Sequence, residues 1–263
     1  MDLELEGRRT LVIGASYGIG LASARMMAAE GADLILSSRS ADKLDAAASD
    51  IGAACGRTPR TATVDLTVPG DAERLLNEVG AQWEGLDCLV TAVGGSIRSG
   101  FEGLSDEDWL GNYTFNVLST VRAVRAALPL LRKGRTPAVV LLGAAAAKMP
   151  YAHQIVSNVH KAGLLGLSKT LAGEFASDGI RVNLVGPGRT LTPLWINRAD
   201  KLAAERGVTR DEVIDEFSKD IPLGRFAGPE EVAVMVTWLA SPRAAYVTGQ
   251  AINVDGGIAR GLL

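Results

Sequence analysis

Short apolar runs alternate along the chain with longer segments of helical character. Several runs are apolar throughout, which is typical of parallel strands that are covered on both faces. The predicted strands are residues 10–13, 33–37, 61–64, 88–92, 138–142, 181–185 and 251–254. This order predicts an α/β fold with a doubly wound parallel sheet and helices on both faces. No repeat or interdomain linker interrupts it, so we expect a single domain.

Local signals mark where several helices begin. Ser105 with Asp108, and Thr209 with Glu212, have the spacing of capping boxes, and Pro229 suits a first helical turn. A helix predicted at about 153–176 is apolar on more than one face, so it is either deeply buried or part of a subunit interface, with the interface preferred. The apolar end at 261–263 either docks on a partner subunit or frays.

Glycines collect where the predicted strands end. Glycine at such a point allows a positive φ or a close approach of the backbone to a ligand. The groups are Gly14, Gly18 and Gly20, then Gly94 and Gly95, then Gly186 and Gly188, and finally Gly256 and Gly257. They predict a ligand that lies along one edge of the sheet.

Composition excludes several classes of protein. The 263 residues are 47% hydrophobic and 22% charged, which excludes a mainly disordered chain. The net charge of −3 favours neither nucleic acid nor an anionic membrane as a partner. The two cysteines, Cys55 and Cys88, lack the spacing of a zinc site, so no metal is predicted. The polar start and the short apolar runs predict a soluble, cytoplasmic protein.

The first strand, its glycines and the following helix predict a nucleotide site, because the N–H groups at a helix start favour a pyrophosphate. The spacing is G-x-x-x-G-x-G, and a simple tight turn is the alternative. The second strand ends at Ser38-Arg39, where an NAD site has a carboxylate for the ribose. A hydroxyl and a cation suit a 2′-phosphate, so NADP(H) is preferred over NAD(H), unless Arg39 is an ordinary solvated charge. Asp65 follows the third strand, where it could accept from an adenine amino group.

These features together resemble the short-chain dehydrogenase/reductase family, and the resemblance extends from about residue 5 to residue 258. The motifs that carry it are the glycine turn, Asp65, Asn116, Lys161, Pro187-Gly188 and the segment 246–257. The resemblance implies a seven-stranded Rossmann-like sheet, binding of NAD(P)(H) and a homotetramer or homodimer. It also implies that residues 189–224 form a lid over a small-molecule substrate.

The resemblance further implies which residues contact the cofactor. They are Gly14, Ser16, Gly18, Ile19, Gly20, Ser38, Arg39, Asp65, Leu66, Ala92, Gly94, Lys161, Pro187, Gly188, Thr190 and Thr192. In the lid, four apolar residues either line a wall for a medium-sized organic substrate or bury against the sheet. These are Leu194, Trp195, Ile196 and Phe217.

The chain departs from the family's catalytic pattern at two of four positions. In the family, a Tyr-x-x-x-Lys pair and an upstream Ser reduce a carbonyl, supported by an Asn. Asn116 and Lys161 match, but Ser157 takes the Tyr position and Ala144 or Ala145 takes the Ser position. An aliphatic hydroxyl is a far poorer acid than a phenol, whose pKa is about 10, so Ser157 cannot simply replace the Tyr.

Two other residues are candidates for the missing proton donor. His153 shares a helical face with Ser157 and Lys161 if the helix already includes position 153; otherwise it is a capping or solvated loop histidine. Tyr151 could bring a phenol into the same space, although loop tyrosines often only pack.

Three functional hypotheses remain open. The first is an NADP(H)-dependent oxidoreductase with a non-standard active site, acting on an activated carbonyl or an enone. The 2,4-dienoyl-CoA reductases, which can carry Ser-x-x-x-Lys, are a partial precedent. The second is a redox-neutral dehydratase, isomerase or cyclase with Tyr151 or His153 as acid and base. The third is an inactive nucleotide-binding subunit. Retention of the turn and of Lys161 favours the first hypothesis.

Overall fold

The structure is a computed structural model that describes residues 2–261. Its centre is a single seven-stranded parallel sheet with the strand order β3-β2-β1-β4-β5-β6-β7. The strands are β1 (Arg9–Ile13), β2 (Asp33–Ser38), β3 (Arg60–Thr63), β4 (Cys88–Thr91), β5 (Ala138–Leu142), β6 (Arg181–Pro187) and β7 (Ala251–Val254). All seven predicted strands are confirmed, with ends that shift by at most two residues.

Helices connect the strands and cover both faces of the sheet. Within the described residues they are α1 (Gly18–Ala29), α2 (Ala41–Cys55), α3 (Asp71–Gln82), α4 (Asp106–Tyr113), α5 (Ser119–Leu131), α6 (Ile155–Glu174), α7 (Pro193–Arg206), α8 (Arg210–Ser218) and α9 (Pro229–Ala240). The order of the strands reverses between β1 and β4. Because ligands of such sheets bind at the carboxyl ends of the strands near this reversal, it fixes where the site lies.

Two hydrophobic layers explain why the strands are continuously apolar. Leu11 and Leu89 belong to the layer that packs against α3, α5 and α6. Their neighbours Val12 and Val90 point to the opposite layer, against α1, α2 and α9. Successive side chains of a strand alternate between faces, so a sheet with two covered faces needs apolar residues at every position.

The predicted helix starts at 105 and 209 are confirmed. The Ser105 hydroxyl accepts from the Asp108 N–H at 3.2 Å, and the Asp108 carboxylate accepts from the Ser105 N–H at 3.0 Å. Thr209 and Glu212 make the equivalent pair at 3.2 and 2.8 Å. Each box satisfies two backbone donors that the helix start leaves free.

Some expectations concern the surface and the ends of the chain. No helix in residues 2–261 combines the length and the apolar character needed to cross a membrane, and the cytoplasmic location stays a prediction. In the same residues, no group of three or more His, Cys, Asp or Glu side chains could hold a metal ion. Leu262 and Leu263, on which the docking of the chain end depends, lie outside the described residues.

Candidate active site

The turn between β1 and α1 presents backbone N–H groups at the carboxyl edge of the sheet. Gly14 and Gly18 have φ angles of +88° and +60°, which residues with a Cβ rarely adopt. A Cβ on Gly14 would also overlap the carbonyl oxygen of Ala92 after β4. In the described part of the chain, the N–H groups of Gly18, Ile19 and Gly20 donate to no acceptor. Free donors at the start of a helix are the groups that bind a phosphate.

The neighbouring strand ends place a hydroxyl, a cation and a carboxylate near this turn. Ser38 is the last residue of β2, and the exposed Arg39 guanidinium lies 5.7 Å from the ring centroid of Phe115. Asp65 accepts from the N–H and the hydroxyl of Thr67 at 2.9 and 2.6 Å. These hydrogen bonds, and to a smaller extent the charge of Arg39, lower the pKa of Asp65, so its carboxylate is ionised at neutral pH.

Gly94 lies against the two polar residues that match the family's catalytic pattern. It has a φ of +148°, and a Cβ there would lie 2.8 Å from Oδ1 of Asn116 and would overlap Nζ of Lys161. Lys161 is only 8% exposed. Burial lowers the pKa of Lys161 to about 8, so the ammonium is still mostly protonated at neutral pH. Within residues 2–261 it makes no ion pair, which leaves a buried cation directed at the strand edge.

Asn116 belongs to a small hydrogen-bond network that sequence reasoning missed. It lies in a π-helical turn (Thr114–Leu118) between α4 and α5, where the wider turn is typical of functional sites. Its Oδ1 accepts from the Gly95 N–H at 3.1 Å, and its Nδ2 donates to Oδ1 of Asn112 at 3.0 Å. The same Asn112 oxygen is 2.8 Å from Nδ1 of the buried His160. The spacing of four residues between Asn112 and Asn116 was the available signal.

The buried side chain of His160 lies at the end of this network. Burial, and then the nearby Lys161 charge, lower the pKa of His160, so the ring is neutral at neutral pH. It packs edge-on against Trp109 and Tyr113, at centroid distances of 5.8 and 5.6 Å. Because the Asn112 oxygen already accepts from Asn116, the His160 nitrogen beside it is assigned as the donor.

Besides Thr237 of α9, two buried hydroxyl groups have no hydrogen-bond partner among the described residues. They are Oγ of Ser157, one helical turn before Lys161, and the phenol oxygen of Tyr151. The backbone of Tyr151 is held by Asn158, whose amide donates to its carbonyl oxygen at 2.8 Å and accepts from its N–H at 3.3 Å. Tyr151 packs in the same apolar cluster as Ala145. Buried hydroxyls without partners are uncommon, so these two are candidates for contact with a bound ligand.

The condition for aligning His153 with Ser157 and Lys161 is not met, and His153 is instead the exposed loop histidine of the alternative. The helix α6 begins at Ile155, and His153 precedes it with a φ of +56° and an exposed side chain. Its carbonyl oxygen accepts from the Ser99 N–H at 3.2 Å, which fixes the loop in this conformation. The proposed catalytic role of His153 therefore has no helical geometry to support it.

The beginning of the segment 189–224 lies over the glycine turn. Pro187 ends β6, and a Cβ on Gly188 would lie 2.6 Å from the Cα of Asp255. Thr190 is 3% exposed, and the methyl carbon of Thr192 lies 3.2 Å from where a Cβ on Gly18 would be. The segment therefore begins beside the glycine turn at the start of α1.

The rest of this segment consists of α7 and α8 and has its own aromatic cluster. Trp195 packs edge-on against Phe217 and Phe226, with ring centroids 5.4 and 4.9 Å apart. Leu194, in contrast, is 60% exposed. Trp195 and Phe217 share a hydrophobic cluster with Tyr151, so they lie beside one of the two unpartnered hydroxyls.

Proteins of known family share the fold and much of the sequence of this chain. The family described as enoyl-(acyl carrier protein) reductase matches residues 14–259. The 3-oxoacyl-[acyl-carrier-protein] reductase FabG of Escherichia coli K12 is 32% identical over 256 residues, which cover 97% of this chain and 99% of that protein. The chain belongs to the short-chain dehydrogenase/reductase family.

Solved structures of short-chain dehydrogenases/reductases match over nearly the whole chain. The L-sorbose reductase of Gluconobacter frateurii, solved with NADPH and L-sorbose, is 34% identical with a TM-score of 0.95, and both chains are covered completely. An NADPH-bound short-chain oxidoreductase of Pseudomonas aeruginosa PAO1 that contains an atypical catalytic center is 28% identical with a TM-score of 0.89, over 97% of this chain and 99% of that one. These similar proteins are oxidoreductases, and their bound cofactor is NADPH.

Proposed function

We propose that this protein is an NADP(H)-dependent oxidoreductase with a non-standard active site, acting on an activated carbonyl or an enone of a medium-sized organic substrate. The observation that carries the proposal is the buried Lys161 ammonium against Gly94 and Asn116, with the unpartnered Ser157 hydroxyl one helical turn before it. Similarity to NADPH-bound oxidoreductases, one of them with an atypical catalytic center, supports the same reading.

The free donors and cations of the site fit a dinucleotide. The N–H groups of Gly18, Ile19 and Gly20 would hold the pyrophosphate, and Arg39 would bind the 2′-phosphate. Lys161 would donate to the nicotinamide ribose from its buried position. When bound, the cofactor supplies or accepts a hydride.

The available acids favour a substrate whose carbonyl is already activated. Ser157 is too weak an acid to protonate an ordinary alkoxide near neutral pH. Burial raises the pKa of Tyr151, although Arg189 opposes this, so the phenol stays protonated and can donate a hydrogen bond. With an enone, negative charge spreads onto the carbonyl oxygen, and a donated hydrogen bond stabilises that charge without a full proton transfer in the same step.

We expect the Arg39→Ala substitution to weaken NADPH binding by about 10–100-fold, because a charge-assisted hydrogen bond contributes about 1.5–3 kcal/mol. NADH lacks the 2′-phosphate, so its affinity should stay nearly unchanged. Titrating purified protein while following the fluorescence of the reduced nicotinamide measures both dissociation constants.

Arg60→Ala is the matched control for this variant, since Arg60 is also exposed but belongs to the amino end of the edge strand β3. Equal losses for NADPH and NADH would contradict the assignment of Arg39. Oxidation of NADPH in proportion to enone or ketone added would separate the oxidoreductase from a redox-neutral dehydratase, isomerase or cyclase, and from an inactive subunit.

We also propose that the protein is a homo-oligomer that associates through α4 and α6. Leu110 is 66% exposed and Val159 is 51% exposed on these two neighbouring helices. A Cβ at Gly163 or Gly166 of α6 would meet no atom within 4 Å, so this face of α6 is open. Its glycines have no side chain, which allows a second helix to approach closely. An exposed apolar face of this kind favours association.

Val159→Glu is expected to shift the protein from dimer or tetramer to smaller species, since it would place a charge in the apolar contact. Light scattering coupled to size-exclusion chromatography measures the mass. Val68→Glu is the control, because Val68 is similarly exposed but lies in the loop after β3. Retention of the wild-type mass by Val159→Glu would rule out this face as the interface.

A further inference from the structure

Three arginines converge on the aromatic cluster of the segment 189–224. Arg198 of α7 has its guanidinium carbon 4.1 Å from the ring centroid of Trp195 and 4.9 Å from that of Phe217. Arg98, in the loop after β4, lies 5.9 Å from the Trp195 centroid, and Arg189 lies 4.9 Å from that of Phe217. Arg98, Arg189 and Arg198 are called the arginine cluster below.

Only one member of the cluster has an acidic partner. Arg189 pairs with Asp220 at 2.8 Å and donates to the carbonyl oxygen of Phe217. Among residues 2–261, the guanidinium groups of Arg98 and Arg198 form no ion pair and donate no hydrogen bond to another protein group.

Two carboxylates of the same segment pair with arginines outside the cluster. Asp200 pairs with Arg210 at 2.5 Å, and Glu216 pairs with Arg206 at 2.8 Å. The three cations of the arginine cluster have one paired carboxylate, Asp220, so the cluster carries a local excess of positive charge in a chain whose net charge is −3.

This excess charge is unfavourable in the protein alone. Partial burial and the mutual repulsion of the cations lower the pKa of Arg198 to about 9 and that of Arg98 to about 10. Aromatic stacking holds a guanidinium plane in one orientation and leaves its N–H edges free. Two oriented, unpaired guanidinium groups are well suited to bind an oxyanion, which accepts two hydrogen bonds from each planar fork.

The cluster also adjoins the apolar cluster that holds Tyr151. Trp195, on which Arg98 and Arg198 pack, belongs to the same apolar cluster as Tyr151 and Ala145. The charge of Arg189 acts on the Tyr151 phenol. The loop with Arg98 is joined to the start of α6 by the Ser96 hydroxyl, which donates to Gln154 at 2.9 Å.

We propose that Arg98 and Arg198 bind an anionic group of the substrate, a carboxylate or a phosphate, beside the aromatic cluster that also holds Tyr151. The proposal rests on the proposed function in that it takes the surroundings of the Tyr151 hydroxyl as the reaction site. It makes the substrate an organic anion rather than a neutral sugar or alcohol. The anion would neutralise the charge excess and fix the substrate relative to the Tyr151 hydroxyl.

The test is calorimetric titration of the full-length, NADPH-saturated protein with sodium phosphate and with sodium glutarate at constant ionic strength. The double variant Arg98→Gln/Arg198→Gln should raise the dissociation constant at least about 10-fold, as expected for the loss of charge-assisted hydrogen bonds. Arg125→Gln, at an exposed position of α5, should leave it unchanged. Tighter binding of phosphate would assign a phosphoester to the substrate, and tighter binding of glutarate a carboxylate.

An unchanged dissociation constant in the double variant, or no binding of either probe to the wild type, would overturn the proposal. A melting temperature well below that of the wild type would also overturn it, because it would give both arginines a structural role. Titration with NADPH tests the cofactor assignment independently, since neither arginine belongs to the predicted cofactor site. If NADPH fails to bind, the anion titration is repeated on Arg39→Ala. Anion binding that survives in Arg39→Ala and is lost in the double variant still supports the arginine site. Anion binding that is lost in Arg39→Ala and survives in the double variant overturns it.

Discussion

Replacing Tyr151 by Phe should lower kcat for an enone or activated ketone by about 10²–10⁴-fold, the usual contribution of a general acid or of a hydrogen bond to the developing oxyanion. The substitution removes only the phenol oxygen, which is buried and has no partner among the described residues. The ring and its packing against the aromatic cluster remain. Consumption of NADPH, followed by the absorbance of the reduced nicotinamide, measures the rate.

Two controls make this result specific. Tyr246→Phe removes the same oxygen from a fully exposed tyrosine and should leave kcat unchanged. The affinity of Tyr151→Phe for NADPH should match that of the wild type, because the cofactor contacts are left intact. A kcat close to the wild-type value would show that Tyr151 only packs, and that Ser157 or water supplies the hydrogen bond.

Asp87→Ala should lower the free energy of unfolding by about 3 kcal/mol, the cost of removing one partner of a buried ion pair. The Asp87 side chain is fully buried and accepts from the Arg9 side chain at 2.9 and 3.2 Å. It also accepts from the N–H of Arg135 at 2.6 Å. Urea unfolding at neutral pH measures the loss. Asp50→Ala, which breaks the exposed pair with Arg25, should cost at most about 1 kcal/mol.

The same variant should reveal a pH dependence. Burial by itself would raise the pKa of Asp87, but the hydrogen bonds from Arg9 and Arg135 outweigh it and hold the pKa well below its usual range. A carboxyl group with a depressed pKa stabilises the fold above its unfolded-state pKa of about 4, and that stabilisation is lost as the pH falls. The difference between wild type and Asp87→Ala should therefore shrink below about pH 4. A constant difference across that range would contradict the depressed pKa.

Local signals in the sequence predicted most of the architecture. The seven strands follow from continuous apolar runs, because a strand that is covered on both faces has no position left for solvated side chains. The turn at Gly14 and Gly18 follows from the positive φ angles that a strand-to-helix turn of this shape needs. The capping boxes at 105 and 209 connect residues only three positions apart, so sequence spacing was sufficient to find them.

Part of the candidate site was also visible in the sequence, since Asn116 and Lys161 match the family's pattern and Gly94 was predicted to contact the cofactor. The structure adds the contact between them, which no spacing of residues could give. The start of α6 was misjudged because the helical pattern continues through His153. The side chain of Asn158 instead forms hydrogen bonds with the backbone of Tyr151 in the preceding loop. Because these hydrogen bonds compete with helical ones, α6 begins only at Ile155.

The sequence by itself determined the sheet and the glycine turn, because each depends on short-range periodicity or on residues within one turn. It also indicated the family, through motifs spread over nearly the whole chain. Only the tertiary structure decided that Arg98 and Arg198 meet on Trp195, and that His160 meets Asn112 beneath Asn116. Arg98 reaches Trp195 from the loop after β4, and His160 of α6 reaches Asn112 of α4, so these distances depend on how loops and helices pack over the sheet. Burial and the lack of a partner are properties of that packing, so the proposed anion-binding site emerges only in three dimensions.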